Sequence, residues 1–263
     1  MLPNRLQKYL KTPTAGDDKY ARGVVGLVIG SENYPGAAIL GATAAIRTGI
    51  GMVRYLGPDS VQNLVLEARP EVVCQPGRVN AWVLGSGVPA SEASRFEEAL
   101  KSDTPKILDA GALETCNFET LRGTAILTPH AGEAAALLSR IDEPVDRKVV
   151  EGDPEAIALK LAHLTGQTVC LKGNVTVIAN EHGEVVSVGP NPSDLATAGT
   201  GDVLAGIMGA LLAAHSDDFD PLDIAQTAVL IHTEAARRLS ESGPIAALEL
   251  ADEVRAVVAD WRS

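Results

Sequence analysis

The sequence predicts a three-layer α/β/α fold with a mostly parallel central sheet and an antiparallel meander toward one edge. Three observations predict it. Short β-type runs alternate with helical runs through the first part of the chain, which is the rhythm of βαβ units. Those β-type runs are apolar without interruption, as strands covered by helices on both faces are. After His163 the rhythm changes, and "QTVCLKG", "NVTVIAN" and "EVVSVGP" follow one another across very short turns. Connections that short join only antiparallel neighbours.

The elements follow in order. "GVVGLVIG" (Gly23–Gly30) is a buried strand, and Gly36–Gly49 is an Ala-rich helix. Gly51–Gly57 is a strand and Ser60–Ala68 a helix. "EVVCQP" and "NAWVLGSG" each contain a short strand, and Ser91–Lys101 reads as an amphipathic helix. Lys106–Ala112 and Gly123–His130 are strands that run into polar ends. Helices begin near Gly132 and at Pro154. The charged stretch between them, Ser139–Glu155, reads as a surface excursion within one domain spanning residues 1–263. Past the meander come three helices, Asp202–Ala214, Pro221–Ser240 and Ala247–Trp261.

Composition narrows the function classes. Aromatics are only 3% of the 263 residues, so the core is aliphatic. The formal net charge of −12 argues against nucleic acid and anionic membranes. It leaves small anionic ligands open, because backbone N–H groups bind phosphates without net positive charge. Cys74, Cys116 and Cys170 form no CxxC pair, which disfavours zinc and fits reduced thiols; Cys74 and Cys170 read as core fillers. No segment reads as a signal peptide or a membrane span, so a cytoplasmic protein is expected.

In parallel sheets, ligands bind beyond the carboxyl ends of the strands. Polar residues gather at those predicted ends: "GSENYPGA", "GSGVP", "DAGA", "TPHAGE" and "KGN". No GxxxxGK[ST] or GxGxxG occurs, so neither a Walker-type loop nor the usual dinucleotide fingerprint is present. The most informative stretch is "ATAGTGDVLAG", Ala196–Gly206. Gly199 and Gly201 are able to take positive φ and, with Thr200, present N–H groups at a helix N-terminus, an anion cradle. Asp202 stands beside it, where a carboxylate takes a proton from an attacking hydroxyl while the cradle holds a phosphoryl group. The helix behind it is apolar nearly all round, which predicts burial and a fixed direction. His130 is a candidate ligand contact, Glu133 a helix cap or a ligand contact, and Lys172 a phosphate partner next to a permissive Gly173. The other four histidines read as structural or solvated.

Taken together, "YPGAAILGATAAIRTGIGMV", "LGSGVP", "ILDAGAL", "ILTPHAGE", "LKGNVTVIA" and "ATAGTGDVLAG" resemble the ADP-dependent (S)-NAD(P)H-hydrate dehydratases of the ribokinase-like superfamily. The resemblance covers about residues 20–260 with the motifs in the family's order. It implies a nucleotide-cofactor repair enzyme, a hydro-lyase. Such an enzyme phosphorylates the ring hydroxyl of the S epimer of hydrated NADH or NADPH with ADP, then eliminates phosphate and leaves AMP. By motif position, Ala37 or Ala38, Gly87, His130 and Asp202 would line the hydrate site. Lys172, Gly173, Asn174, Val175 and Thr176, with Gly199, Thr200 and Gly201, would hold the nucleotide. Mg²⁺ is implied as cofactor with no readable ligand set, and a homotetramer as the assembly. Many members have Gly where Ala198 stands. Many also carry an N-terminal epimerase domain, for which this chain is too short, so coupling to a separate epimerase is expected. The competing readings are a kinase of a small alcohol, of hydroxymethylpyrimidine or thiazole type, and a nucleotide-sensing protein without catalysis.

Overall fold

A computed structural model describes residues 2–262; Met1 and Ser263 lie outside the described residues. Eight strands form one sheet in the order β2-β1-β3-β4-β5-β6-β7-β8. They are β1 Val24–Val28, β2 Met52–Tyr55, β3 Ala81–Leu84, β4 Lys106–Leu108, β5 Ala125–Leu127, β6 Thr168–Leu171, β7 Thr176–Ala179 and β8 Val185–Val188. β1 to β6 pair in parallel, whereas β7 and β8 are antiparallel and end the sheet, as the meander predicts.

Among the described residues ten α-helices accompany them: α1 Pro35–Thr48, α2 Asp59–Ala68, α3 Glu97–Lys101, α4 Gly111–Thr115, α5 Ala131–Ile141, α6 Arg147–Gly152, α7 Pro154–Thr165, α8 Thr200–Ala214, α9 Pro221–Ser240 and α10 Ala247–Trp261. Successive strand residues point to opposite sheet faces, and the cores divide accordingly. Ile107, Cys170 and Ile178 belong to the core under α1, α8, α9 and α10. Leu108, Val169, Leu171 and Val177 belong to the core under α5 and α7. No helix among the described residues is long and apolar enough to cross a membrane.

Several elements differ from the sequence reading. "EVVCQP" makes only a single bridge, Val73 to Arg54, set between the turn at Pro70–Glu71 and a bend at Gln75. Cys74 beside it is half-buried and lies at the core's edge; it is not a core filler, while Cys116 and Cys170 are buried. Ser91–Lys101 is a 3₁₀ segment, Ala90–Phe96, kinked at the non-helical Glu92 and followed by the short α3. The strand from Lys106 stops at Leu108, and Gly111 already opens α4. The excursion from Ser139 contains α6, anchored by the buried Val150.

α8 is the axis of one layer. A Cβ on Gly206 would collide with the Gly41 carbonyl, and one on Gly209 with the Val83 side chain. These glycines let α8 lie directly on α1 and on β3, burying nearly all of its length. Its N-terminus is therefore held in place at the carboxyl end of the sheet.

Candidate active site

The exits of β1, β3, β4, β5 and β6 meet at one end of the sheet. Gly30 N–H donates to the Ser86 carbonyl at 2.7 Å, and Lys172 N–H to the Pro129 carbonyl at 2.8 Å. His130 and Lys172 form an isolated parallel bridge that extends the pairing of β5 and β6.

Asp109 is the hub. Its Oδ2 accepts the Ser86 hydroxyl at 2.8 Å, and its Oδ1 accepts the Thr128 hydroxyl and the Lys172 ammonium, each at 2.8 Å. Burial raises the pKa of this carboxyl, but Lys172 and the two hydroxyls outweigh it and hold the group below the usual range. Burial likewise acts against the charge on Lys172, and the neighbouring Asp109 and Glu133 outweigh it, keeping the ammonium charged. The residue after Asp109, Ala110, has φ 42°, the only non-glycine in the left-handed half of the map among the described residues. Such strain persists where surroundings over-determine the backbone. The motif "DAGA" marks this loop in the sequence, but nothing there reveals that Asp109 fixes Lys172.

Past Lys172 lies the N-terminus of α8. Gly199 caps it at φ 92°, whereas Gly201 is helical, so only one of the two glycines uses positive φ. Gly201 serves close approach: the position of a Cβ there is 3.6 Å from Lys172 Nζ. The N–H groups of Gly201 and Asp202 find no acceptor among the described residues. They are the free donors expected at a helix start, and Lys172 reinforces their positive field. Among the described residues Asp202 accepts no side-chain hydrogen bond, and its pKa is pushed up to about 7 by burial and by the nearby Asp109 charge, with Lys172 opposing. That is the range of a general base.

His130 caps α5. Its Nδ1 accepts the N–H groups of Gly132 (3.0 Å) and Glu133 (3.1 Å), so the ring proton sits on Nε2. The Glu133 carboxylate returns a bond from the His130 N–H at 2.8 Å. Of the two sequence options for Glu133, the helix cap is the one seen; its carboxylate also stands 3.9 Å from Lys172 Nζ.

The predicted residues fall into three groups. A cavity of about 650 Å³ is lined by His130, Leu171, Lys172, Gly173, Asn174 and Val175, with Arg147 and Val150 of α6 on its far wall; Thr176 is buried at the end of the same turn. Gly199, Thr200, Gly201 and Asp202 form the second group. Ala37, Ala38 and Gly87 form the third: Gly87 faces Ala37, a Cβ there falling 2.6 Å from that of Ala37, while Ala38 is fully buried under Gly30. α1 links the second and third groups, since Leu40 packs on Gly199 and Gly41 on the Asp202 backbone. His130 therefore shares its cavity with the Lys172–Thr176 turn.

α9 braces two of these groups. His232 Nε2 lies 2.9 Å from the Thr200 carbonyl in a buried setting. Burial pushes its pKa down to about 4, so the ring is neutral and Nε2–H is the donor. Next to it, the Thr233 hydroxyl donates to Asn191 Oδ1 at 2.7 Å, and Asn191 Nδ2 donates to the Gly173 carbonyl at 3.0 Å. The sequence places His232 among structural histidines. It is structural, but what it holds is the cradle.

These features define a class: an α/β protein that shares its fold with a ribokinase-like superfamily protein of Enterococcus faecalis (22% identity, TM-score 0.81), with a helix N-terminus, a lysine and a carboxylate free of side-chain partners among the described residues converging where a phosphoryl group can sit. The chain belongs to the NAD(P)H-hydrate dehydratase family, whose model matches residues 25–255. It is 42% identical over 214 residues to a bifunctional NAD(P)H-hydrate repair enzyme of Mycobacterium tuberculosis, covering 77% of this chain and 43% of that protein. This chain thus spans about half the length of the first relatives it matches. An ADP-dependent (S)-NAD(P)H-hydrate dehydratase of Neisseria meningitidis is 33% identical over 98% of this chain and 90% of its own length. Among solved structures, an ADP/ATP-dependent NAD(P)H-hydrate dehydratase of Bacillus subtilis, co-crystallised with ATP and Mg²⁺, superposes with TM-score 0.87 at 28% identity, covering 97% of this chain and 96% of that one.

Proposed function

We propose that this chain dehydrates the S epimer of hydrated NADH or NADPH, with ADP as co-substrate. The observation that carries this is Asp202: a carboxylate without a hydrogen-bond partner, titrating near neutrality, beside two unused N–H groups and a charged lysine. The hydrate's ring hydroxyl lies against Ala37 and Gly87 with its proton toward Asp202. Asp202 takes that proton as the oxygen bonds to the β-phosphorus of ADP, and the bond from phosphorus to the bridging oxygen breaks, releasing AMP. The N–H groups of Gly201 and Asp202 and the Lys172 ammonium stabilise the charge on the transferring group. Hydroxide is a poor leaving group and phosphate a good one. In the second step the ring C–O bond breaks, phosphate departs, and a neighbouring ring carbon loses a proton, restoring the dihydropyridine.

The nucleotide occupies the 650 Å³ cavity, with the Lys172–Thr176 turn under its phosphates. No cluster of three His, Cys, Asp or Glu able to hold a metal occurs among the described residues, and the carboxylate of Asp109 is taken up by Lys172, Ser86 and Thr128. That donor set fits Mg²⁺ carried on the nucleotide's phosphates, the habit of this ion. Bound there, Mg²⁺ would neutralise phosphate charge. A cytoplasmic homotetramer supplied with the S epimer by an epimerase completes the reading.

The test is recovery of reduced-nicotinamide absorbance from purified hydrate with ADP, with ATP in parallel. ADP-dependent recovery with stoichiometric AMP is expected. Accumulation of a stable phosphate ester without recovery would replace this reading with a kinase of a small alcohol.

A further inference from the structure

The opposite end of the sheet holds a second polar cavity that the proposed reaction does not use. It lies beyond the C-terminal ends of α1 and α8, against the N-terminal segment, with a volume of about 250 Å³. In a chain with 34 acidic and 22 basic residues, this cavity reverses the balance: Lys11, Arg22 and Arg262 face it against Asp17 alone. None of the three cations has a carboxylate at ion-pair distance among the described residues. Asp17 is turned to the backbone, where its Oδ2 accepts the Thr14 N–H at 2.7 Å.

The two arginines crowd one point. Arg22 Nη2 donates to the Gly49 carbonyl at 2.8 Å, and a Cβ on Gly49 would collide with Nη2 of Arg262. The Nε atoms of both are buried without a hydrogen-bond partner. Burial and the charge of Arg22 hold Arg262 below its ordinary pKa. A helix C-terminus attracts a cation, which accounts for one guanidinium at Gly49, the C-cap of α1. It does not account for two, side by side, whose charges repel. A dianion between them does. Guanidinium forks match the oxygens of phosphate, and an opposite charge there replaces repulsion with attraction.

We propose that this basal cavity binds a small phosphate dianion, either inorganic phosphate or a compact phosphate monoester, through Arg22, Arg262 and Lys11. The proposal is independent of the reaction assigned to the other end. Equilibrium dialysis of labelled inorganic phosphate against the full chain tests it, comparing wild type with the Arg22→Gln/Arg262→Gln double variant. Wild type is expected to show one class of site that the double variant lacks or binds at least tenfold more weakly. ADP binding at the other end should be equal in the two. Lys11 is exposed, so Lys11→Gln leaves folding intact; it should weaken the same class several-fold and keeps the test valid if the double variant does not fold. Displacement of the label by ribose 5-phosphate would extend the site to monoesters, and its failure would restrict the site to the inorganic ion. Phosphate isotherms that superimpose for wild type and Lys11→Gln, with no class lost in the double variant, would overturn the proposal, as would absence of saturable binding in wild type.

Discussion

Asp109 and Asp202 both feel the charge of Lys172, yet their surroundings set them apart. Asp109 is saturated with hydrogen bonds and stays ionised. Asp202 accepts none and titrates near 7. Pairs of titratable groups driven apart by environment are the mark of divided labour. Asp109 is a structural anion that keeps Lys172 charged and aimed at the cradle. In the proposed reaction Asp202 is the chemical one, its carboxylate left without a side-chain partner among the described residues.

The sharpest way to break this contrast is Asp202→Asn. It removes the base and leaves the cradle's N–H groups in place. ADP-dependent dehydration should fall about 10²–10⁴-fold in kcat, with ADP binding changed little in a direct titration. An equal loss in ADP affinity would mean that Asp202 serves binding and the division is false.

The counterpart on the other side is Lys172→Met, which leaves Asp109 buried and without its cation. Breaking such a pair from one side costs about 3–5 kcal/mol, so thermal unfolding should drop by roughly 10 °C. Adding Asp109→Asn should restore much of the stability and none of the activity. If the single variant is as stable as wild type, Asp109 is not the structural half of the pair.

How much of this was legible in the sequence follows from the same contrast. The placing of Asp202 at the start of α8 is visible because it needs only near neighbours: glycines before it, an apolar helix after it. The strand rhythm and the meander are visible for the same reason, since periodicity is local. Asp109 is not, because its partners Ser86, Thr128 and Lys172 lie on three other strand exits and meet only when the sheet forms. His232 is hidden likewise, its partner Thr200 lying 32 residues away in the chain. α6 escaped notice because its apolar anchor, Val150, sits among charges, and Gly201 because a glycine kept for close approach looks like one kept for positive φ.

The pH dependence is the next, smaller effect. If Asp202 must be ionised, kcat/KM rises with pH through about 7 and levels above it. Stability moves the other way. A carboxyl whose folded pKa is raised from 3.8 to about 7 binds its proton more readily in the folded state, so stability is greatest at low pH and declines as pH rises from near 4 to near 7. Asp202→Asn removes that decline. At pH 8 it should be more stable than wild type by about 1–3 kcal/mol, measurable by urea unfolding at pH 5 and pH 8. Equal stability of the two proteins at both values would mean that Asp202 is solvated like any surface acid.

The smallest effect concerns the strain beside Asp109. Ala110 at φ 42° occupies a region suited to glycine. Ala110→Gly relieves strain of about 1–3 kcal/mol and gives back about 0.5–1 kcal/mol in chain entropy, a net gain of roughly 1 kcal/mol and a Tm higher by roughly 3 °C. The informative measurement is the activity that accompanies it. If the strained turn only closes the loop into α4, kcat stays at the wild-type value. If it fixes the direction of the Asp109 carboxylate, and through it Lys172, the relaxed backbone lets the ammonium drift from the cradle, and kcat falls several-fold while Tm rises. A gain in stability with a loss in rate would show the strain to be part of the site, on the side where the chemistry is not.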